Sequence, residues 1–342
     1  MYLNFFFIFI IFIVLYLFCK KFNFLLENQS YSSHKALGLE NRSPIILGGL
    51  FILITLSFFH SITSINLKIA LILIIFLGLL SDKNILPNPK IRLIFQMLIL
   101  LLIVFVENLS IEDLRFELMN SLLSNNVFNI FFTVFCLAVL LNGSNFLDGL
   151  NGLISGYYLV IILSILILKN LYPEIIVVDQ IFLEILLYIL IIFLFFNLFG
   201  LVYLGDSGSY GLALLIGTYL INFNSLNNFI SPYYIAIMLW YPSFENLFSL
   251  VRRLIVKKNV SNADNYHLHQ LVFLFLKSKK FFNKKILNST SSIIIILFNL
   301  PAIIVANFYA TKSMPLLIIL TINIFFYLLF YYFLFKNLIK QK

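Results

Sequence analysis

Eleven apolar runs, near residues 2–19, 45–60, 67–80, 91–106, 127–141, 153–168, 181–199, 208–222, 232–251, 289–309 and 316–335, leave this chain of 342 residues little to become except a bundle of membrane helices. A hydrocarbon core ~30 Å thick takes ~20 helical residues to cross. Lipid offers backbone groups no hydrogen bonds, so a spanning segment closes its own as a helix. The chain is 62% hydrophobic and 11% charged, where soluble domains run to roughly 45–50% and 25%. No segment of soluble-domain size is left over and no repeat is visible. The sequence therefore predicts one all-α polytopic membrane domain over residues 1–342, with eleven transmembrane helices.

A net charge of +9 raises nucleic acid as a partner, but the positions of the charges argue against it. With the N-terminus outside, segments 20–44, 81–90, 142–152, 200–207, 252–288 and 336–342 face inward, and every Lys and Arg lies in or beside one of them except Lys68, Arg115, Lys169 and Lys312. Basic residues concentrated on one side record orientation. This predicts an N-out, C-in membrane protein with no nucleic-acid partner. Residues 2–18 lack the basic leader and small-residue cleavage site of a signal peptide, so they read as a retained first helix. Cys19 and Cys136 sit in apolar runs and are too few for a disulfide framework or metal cluster. The outer connection 107–126, with Glu107, Glu112, Asp113 and Glu117, reads as a solvated loop.

The segments rich in polar residues, Gly and Asp all fall on the inward side. In 20–44, Lys35 and Arg42 are candidate phosphate contacts, or topology signals alone. Asp82 ends a helix whose own dipole opposes it, which suggests a cation ligand or the partner of a base. In NGSNFLDGLNGL (142–153), Asn142, Asn145, Asp148 and Asn151 recur every three residues, so on a continuous helix they would drift around its surface. Gly143, Gly149 and Gly152 instead favour a broken helix with backbone N–H groups open to a phosphate. Asp206 stands between glycines at a helix start, where an Asp is also a good cap. Mg²⁺ is held by one or two carboxylates together with phosphate oxygens, and the helix-end acids Asp82, Asp148 and Asp206 would supply the carboxylates. In 252–288, Arg252, Arg253, His267 and His269 are candidate diphosphate contacts. His residues at i and i+2 point apart on a helix, so zinc is the weaker reading there.

The ordered set RSPIILGG (42–49), GLLSDKNILPNPKIRLIFQ (78–96), NGSNFLDGLNGL, GDSGS (205–209), PSFENLFSLVRR (242–253) and DNYHLHQL (264–271) resembles the polyprenyl-phosphate N-acetylhexosamine-1-phosphate transferases, of MraY/WecA type. The resemblance runs from about residue 33 to 272. It implies transfer of a sugar 1-phosphate from a UDP-N-acetylhexosamine to undecaprenyl or another polyprenyl phosphate, with Mg²⁺ or Mn²⁺, releasing UMP at the cytosolic face. By the same resemblance Asp206 matches the metal-binding acid, and Asp148 and Asn145 match the Asn/Asp segment. Asp82 matches the second acid of a pair, and His267 and His269 match the His motif near the diphosphate. Four positions depart from the pattern: Ser81 for the first acid of the pair, Asn151 for an Asp, Gln270 for a His, and Glu245 for an Asp. A phosphate monoester has a second pKa near 6, about a unit below cytosolic pH, so the lipid phosphate can attack without a protein base. The histidine-x-histidine form lies closer to the WecA-like branch than to the muramoyl-pentapeptide branch. A catalytically silent homologue that still binds either substrate is the main alternative. A transporter fits less well, because its acids would lie at mid-depth in the bundle. A homodimer stays open, since its face would have the composition of a lipid-facing surface.

Overall fold

The structure, a computed structural model, describes residues 2–26, 44–59, 63–255, 266–280 and 283–339. Its helices are α1 (Tyr2–Lys21), α2 (Gly48–Phe58), α3 (Ile65–Asp82), α4 (Pro89–Val106), α5 (Glu117–Leu123), α6 (Asn126–Leu147), α7 (Leu153–Leu171), α8 (Gln180–Leu198), α9 (Gly205–Leu226), α10 (Pro232–Ile255), α11 (Leu268–Lys279), α12 (Lys284–Phe308) and α13 (Ser313–Ile339). Each of the eleven apolar runs is one of these helices, and α5 and α11 are additional. Among the described residues eight helices are long and apolar enough to cross a membrane. Of the other three runs, α2 has only 11 residues. The remaining two, α9 and α10, carry polar groups that the protein interior absorbs. Every residue from Gly205 to Leu220 is buried, so the Asp, Ser and Thr of α9 meet other helices instead of lipid.

Local chemistry sets the helix starts. Ser64, Asn88, Asn125 and Asp179 each accept a backbone N–H from the first turn of α3, α4, α6 and α8, and Pro89 occupies the first position of α4. Two two-residue strands, β1 (Ile45–Ile46) and β2 (Val202–Tyr203), pair in parallel and fasten the chain before α2 to the chain before α9. Strands this short leave no periodic signal in a sequence. At the opposite end of the bundle the connection 107–126 is more ordered than a solvated loop. It contains α5, and the Arg115 guanidinium donates to the carbonyls of Thr311 (2.8 Å) and Phe229 (2.9 Å).

The centre of the bundle is α9, packed against α2, α3 and α6. Gly78 makes the α3 contact: a methyl group there would lie 2.3 Å from Cα of Ser207. Small residues at such crossings let helix backbones approach closely. Gly78→Ala forces α3 and α9 apart, and the expected cost is about 1–3 kcal/mol. Thermal melts in detergent check this. An unchanged midpoint would mean the crossing has slack.

Candidate active site

The site is assembled by the N-terminal end of α9. Asp82, the last residue of α3, turns its carboxylate to that end, where Oδ1 accepts the Asp206 N–H (2.7 Å) and Oδ2 the Ser207 N–H (3.1 Å). The opening N–H groups of a helix lack internal partners and its dipole attracts negative charge there. Asp82 is thus unfavourable for its own helix and favourable for α9. Gly205, at φ +72°, allows the approach, because a Cβ on it would lie 2.7 Å from Asp82 Oδ2.

The next residue, Asp206, is buried. Its Oδ2 accepts from Ser81 Oγ (2.5 Å) and forms an ion pair with Arg92 Nη1 (2.8 Å). Arg92 also donates to the Ser81 hydroxyl. The position that departs from the family's acid pair therefore belongs to a Ser81–Asp206–Arg92 cluster, with its cation supplied from α4. Sequence reasoning used Arg92 only as a topology signal. A usable clue is that the missing acid at Ser81 leaves Asp206 to pair with the basic residue one α4 turn in.

The third acid, Asp148, caps the end of α6, and the helix breaks over 148–152 before α7 begins. Gly152 carries the break at φ +81°. Asp148, Gly149 and Asn151 line a small cavity together with Asp82, Asn197 and Gly205. The break matches the expectation from the glycines, but its N–H groups are not open to a ligand at two positions. Asn151 N–H donates to Asn288 Oδ1 (2.6 Å), and Gly152 N–H donates to Asn197 Oδ1 (2.5 Å). Both acceptors come from helices, α12 and α8, that clamp the turn in place. A donor that spends its proton on a buried amide is not available to a phosphate.

Other predicted residues divide into those near this cavity and those away from it. Asn145 Nδ2 donates to Ser209 Oγ (3.3 Å), joining α6 to α9. Asn142 faces α4, donating to Gln96 Oε1 (3.0 Å), and is not among the residues lining the cavity. The His motif opens α11 and abuts the broken turn, since a Cβ on Gly149 would lie 3.1 Å from His269 Nε2. The rings of His267 and His269 stack at 5.5 Å, Phe146 covers His267 at 5.0 Å, and Arg253 lies 5.8 Å over Phe146. Arg252 points elsewhere. It lies over the rings of Phe248, Tyr266 and Tyr331 and donates to the Tyr266 carbonyl and the Tyr331 hydroxyl. These contacts make it a tie between α10 and α13. Lys35 and Arg42 lie outside the described residues.

His269 is fully buried, and neither of its ring nitrogens has a hydrogen-bond partner among the described residues. Burial pushes its pKa down to about 3, neighbouring His267 adds to the effect, and Glu245 opposes it. His269 is therefore neutral near pH 7, and any phosphate contact it makes is a neutral N–H donor's contact.

Fold and site define a multi-pass helical membrane protein in which the acids Asp82 and Asp148, from the ends of two helices, line one cavity with Gly205 at the start of α9. Residues 41–224 match glycosyl transferase family 4. The chain is also 30% identical over 260 residues to the undecaprenyl-phosphate alpha-N-acetylglucosaminyl 1-phosphate transferase of Thermotoga maritima, covering 75% of this chain and 76% of that relative. The chain belongs to glycosyl transferase family 4, the family that its ordered motifs resemble.

Proposed function

We propose that this protein transfers a sugar 1-phosphate from a UDP-N-acetylhexosamine to a polyprenyl phosphate. In the reaction an oxygen of the lipid phosphate bonds to the β-phosphorus of the UDP-sugar. The bond from that phosphorus to the bridging oxygen breaks, and UMP leaves with the bridging oxygen, giving a polyprenyl-diphosphate sugar. The reading is carried by one observation: Asp82, Asp148 and the start of α9 surround a single cavity in a chain of this family. The basic-residue asymmetry supports an N-out orientation with that cavity on the cytosolic side of the inner membrane. The product would open the assembly of a cell-envelope polysaccharide.

Two anionic substrates need their charge offset. Arg92, paired with Asp206, and Arg253, over Phe146, are the candidate cations, and bidentate guanidinium contacts suit phosphate. When bound, Mg²⁺ or Mn²⁺ would polarise the phosphoryl oxygens and neutralise charge on the departing UMP. The acids fit such an ion unequally. Both Asp82 oxygens accept α9 N–H groups, Asp206 Oδ2 is paired with Arg92, and Asp148 lines the cavity. Asp148, which lines the cavity, together with substrate phosphate oxygens is a donor set that fits, and Asp206 would add its carboxylate while Oδ2 stays paired with Arg92.

The test is purified protein with undecaprenyl phosphate, Mg²⁺ and a panel of UDP-sugars, with UMP as the readout. Release of UMP with a UDP-N-acetylhexosamine is expected. Folded protein that binds a UDP-sugar and releases no UMP would establish the silent homologue, which the commitment of Asp206 to Arg92 favours.

A further inference from the structure

Glu245, in the middle of α10, is fully buried. A carboxylate taken out of water is very costly unless donors surround it, and here three do. His267 Nδ1 lies 3.0 Å from Oε1, the Leu268 N–H donates to the same oxygen at 3.2 Å, and the Tyr327 hydroxyl donates to Oε2 at 2.7 Å. Tyr327 belongs to α13, far beyond residues 41–224 that match the family. The two carboxylate oxygens thus divide their work. One is held by the C-terminal helix, and the other receives the side chain and following backbone of the His motif.

We propose that Glu245 is the positioning residue of His267, with Tyr327 setting the carboxylate. An ionised carboxylate has no proton to give, so the Nδ1 of His267 carries one. That fixes the neutral ring as the Nδ1–H tautomer and leaves Nε2 as the nitrogen that meets a ligand, the arrangement by which a second group orients a working imidazole. The Gln270 side chain accepts the His267 N–H at 3.2 Å, and His269 and Phe146 stack on the ring, so the imidazole has one orientation as well as one tautomer. The C-terminal helix thereby takes part in shaping the site without reaching it. This rests on the transferase reading for its kinetic consequence but not for its spectroscopic one.

The chain has four histidines, so protein labelled with ¹⁵N-histidine in nanodiscs gives a tractable spectrum, and His267→Gln assigns the relevant signal. At pH 8.5 the wild type is expected to show protonated Nδ1 and bare Nε2. Glu245→Gln, whose amide accepts or donates equally well, is expected to let the Nε2–H tautomer appear. In the UMP assay Glu245→Gln should lower kcat by about 10–100-fold, with KM for the UDP-sugar held within about twofold. Glu245→Asp should recover part of that loss. An Nε2–H ring in the wild type, or a tautomer indifferent to Glu245→Gln, overturns the proposal. So does a kcat loss that Glu245→Asp does not relieve and that follows thermal stability alone. A wild type that releases no UMP refutes the transferase reading and leaves the tautomer result to decide this one.

Discussion

Asp206→Asn is expected to lower kcat for UMP release by about a hundred- to a thousandfold, the scale seen when one charged group is removed from a phosphoryl or oxyanion site. The size follows from the pairing. The Asp206 and Arg92 side chains are 8% and 23% exposed, so the guanidinium is left largely desolvated when its carboxylate is neutralised. Breaking a fully buried pair costs ~3–5 kcal/mol, and the partial exposure of Arg92 brings this nearer ~2 kcal/mol. A fall of several degrees in Tm should accompany the loss of turnover. Groups that act as a unit are not additive. The double variant Arg92→Gln/Asp206→Asn should therefore be no worse than the more damaged single variant. Ser81→Ala leaves the direct Arg92–Asp206 contact intact and should cost about tenfold or less, on the scale of one hydrogen bond. Additive losses in the double variant would mean that Asp206 and Arg92 serve different ligands. A Mg²⁺ requirement that rises in Asp206→Asn and not in Asp148→Asn would put the ion on Asp206.

The helices were legible because lipid imposes one rule on every spanning segment, and apolar runs with polar ends state that rule directly. The broken helix over 148–152 was legible for a local reason as well, since Gly149 and Gly152 mark it. The site was only half legible. Asp82 reads as a helix-end acid, but the N–H groups it accepts lie 124 and 125 residues away at the start of α9. No local pattern announces such a partner. The same holds for Asn151 and Gly152, whose backbone donors are taken by Asn288 and Asn197. Arg252 and Arg253 are adjacent in sequence and look interchangeable, yet successive residues on a helix point about 100° apart. One is enclosed by the aromatic rings of α10 and α13, and the other is carried toward Phe146 and the His pair. The three-residue spacing that runs from Asn142 to Asn151 implies divergence on a continuous helix, and the intact part of α6 does turn Asn142 away, toward Gln96.

Acidification is expected to destabilise this protein through His269. Its pKa in the folded chain is about 3, against ~6.5 in the unfolded chain. Between those values the unfolded state binds a proton that the folded state refuses. Stability therefore rises with pH across the window, is complete above about 6.5, and falls by about 1.4 kcal/mol for each unit below it. At pH 5 the loss from this one residue is about 2 kcal/mol, comparable to the whole Arg92–Asp206 pair. His269→Gln cannot titrate and should flatten the profile. The measurement is Tm in detergent between pH 5 and 8 for both proteins, with the difference between them isolating His269 from the carboxylates and from His267. Parallel curves would mean that a proton reaches the ring in the folded protein. Protonation would require His269 to gain an acceptor within its closed setting among His267, Gly149 and the start of α11. Glu245 is the nearby carboxylate, but its two oxygens already receive His267, Leu268 and Tyr327. Burial and the neighbouring His267 ring keep His269 neutral against the opposing charge of Glu245, and the acid sensitivity of the fold follows from how deeply the His motif is enclosed.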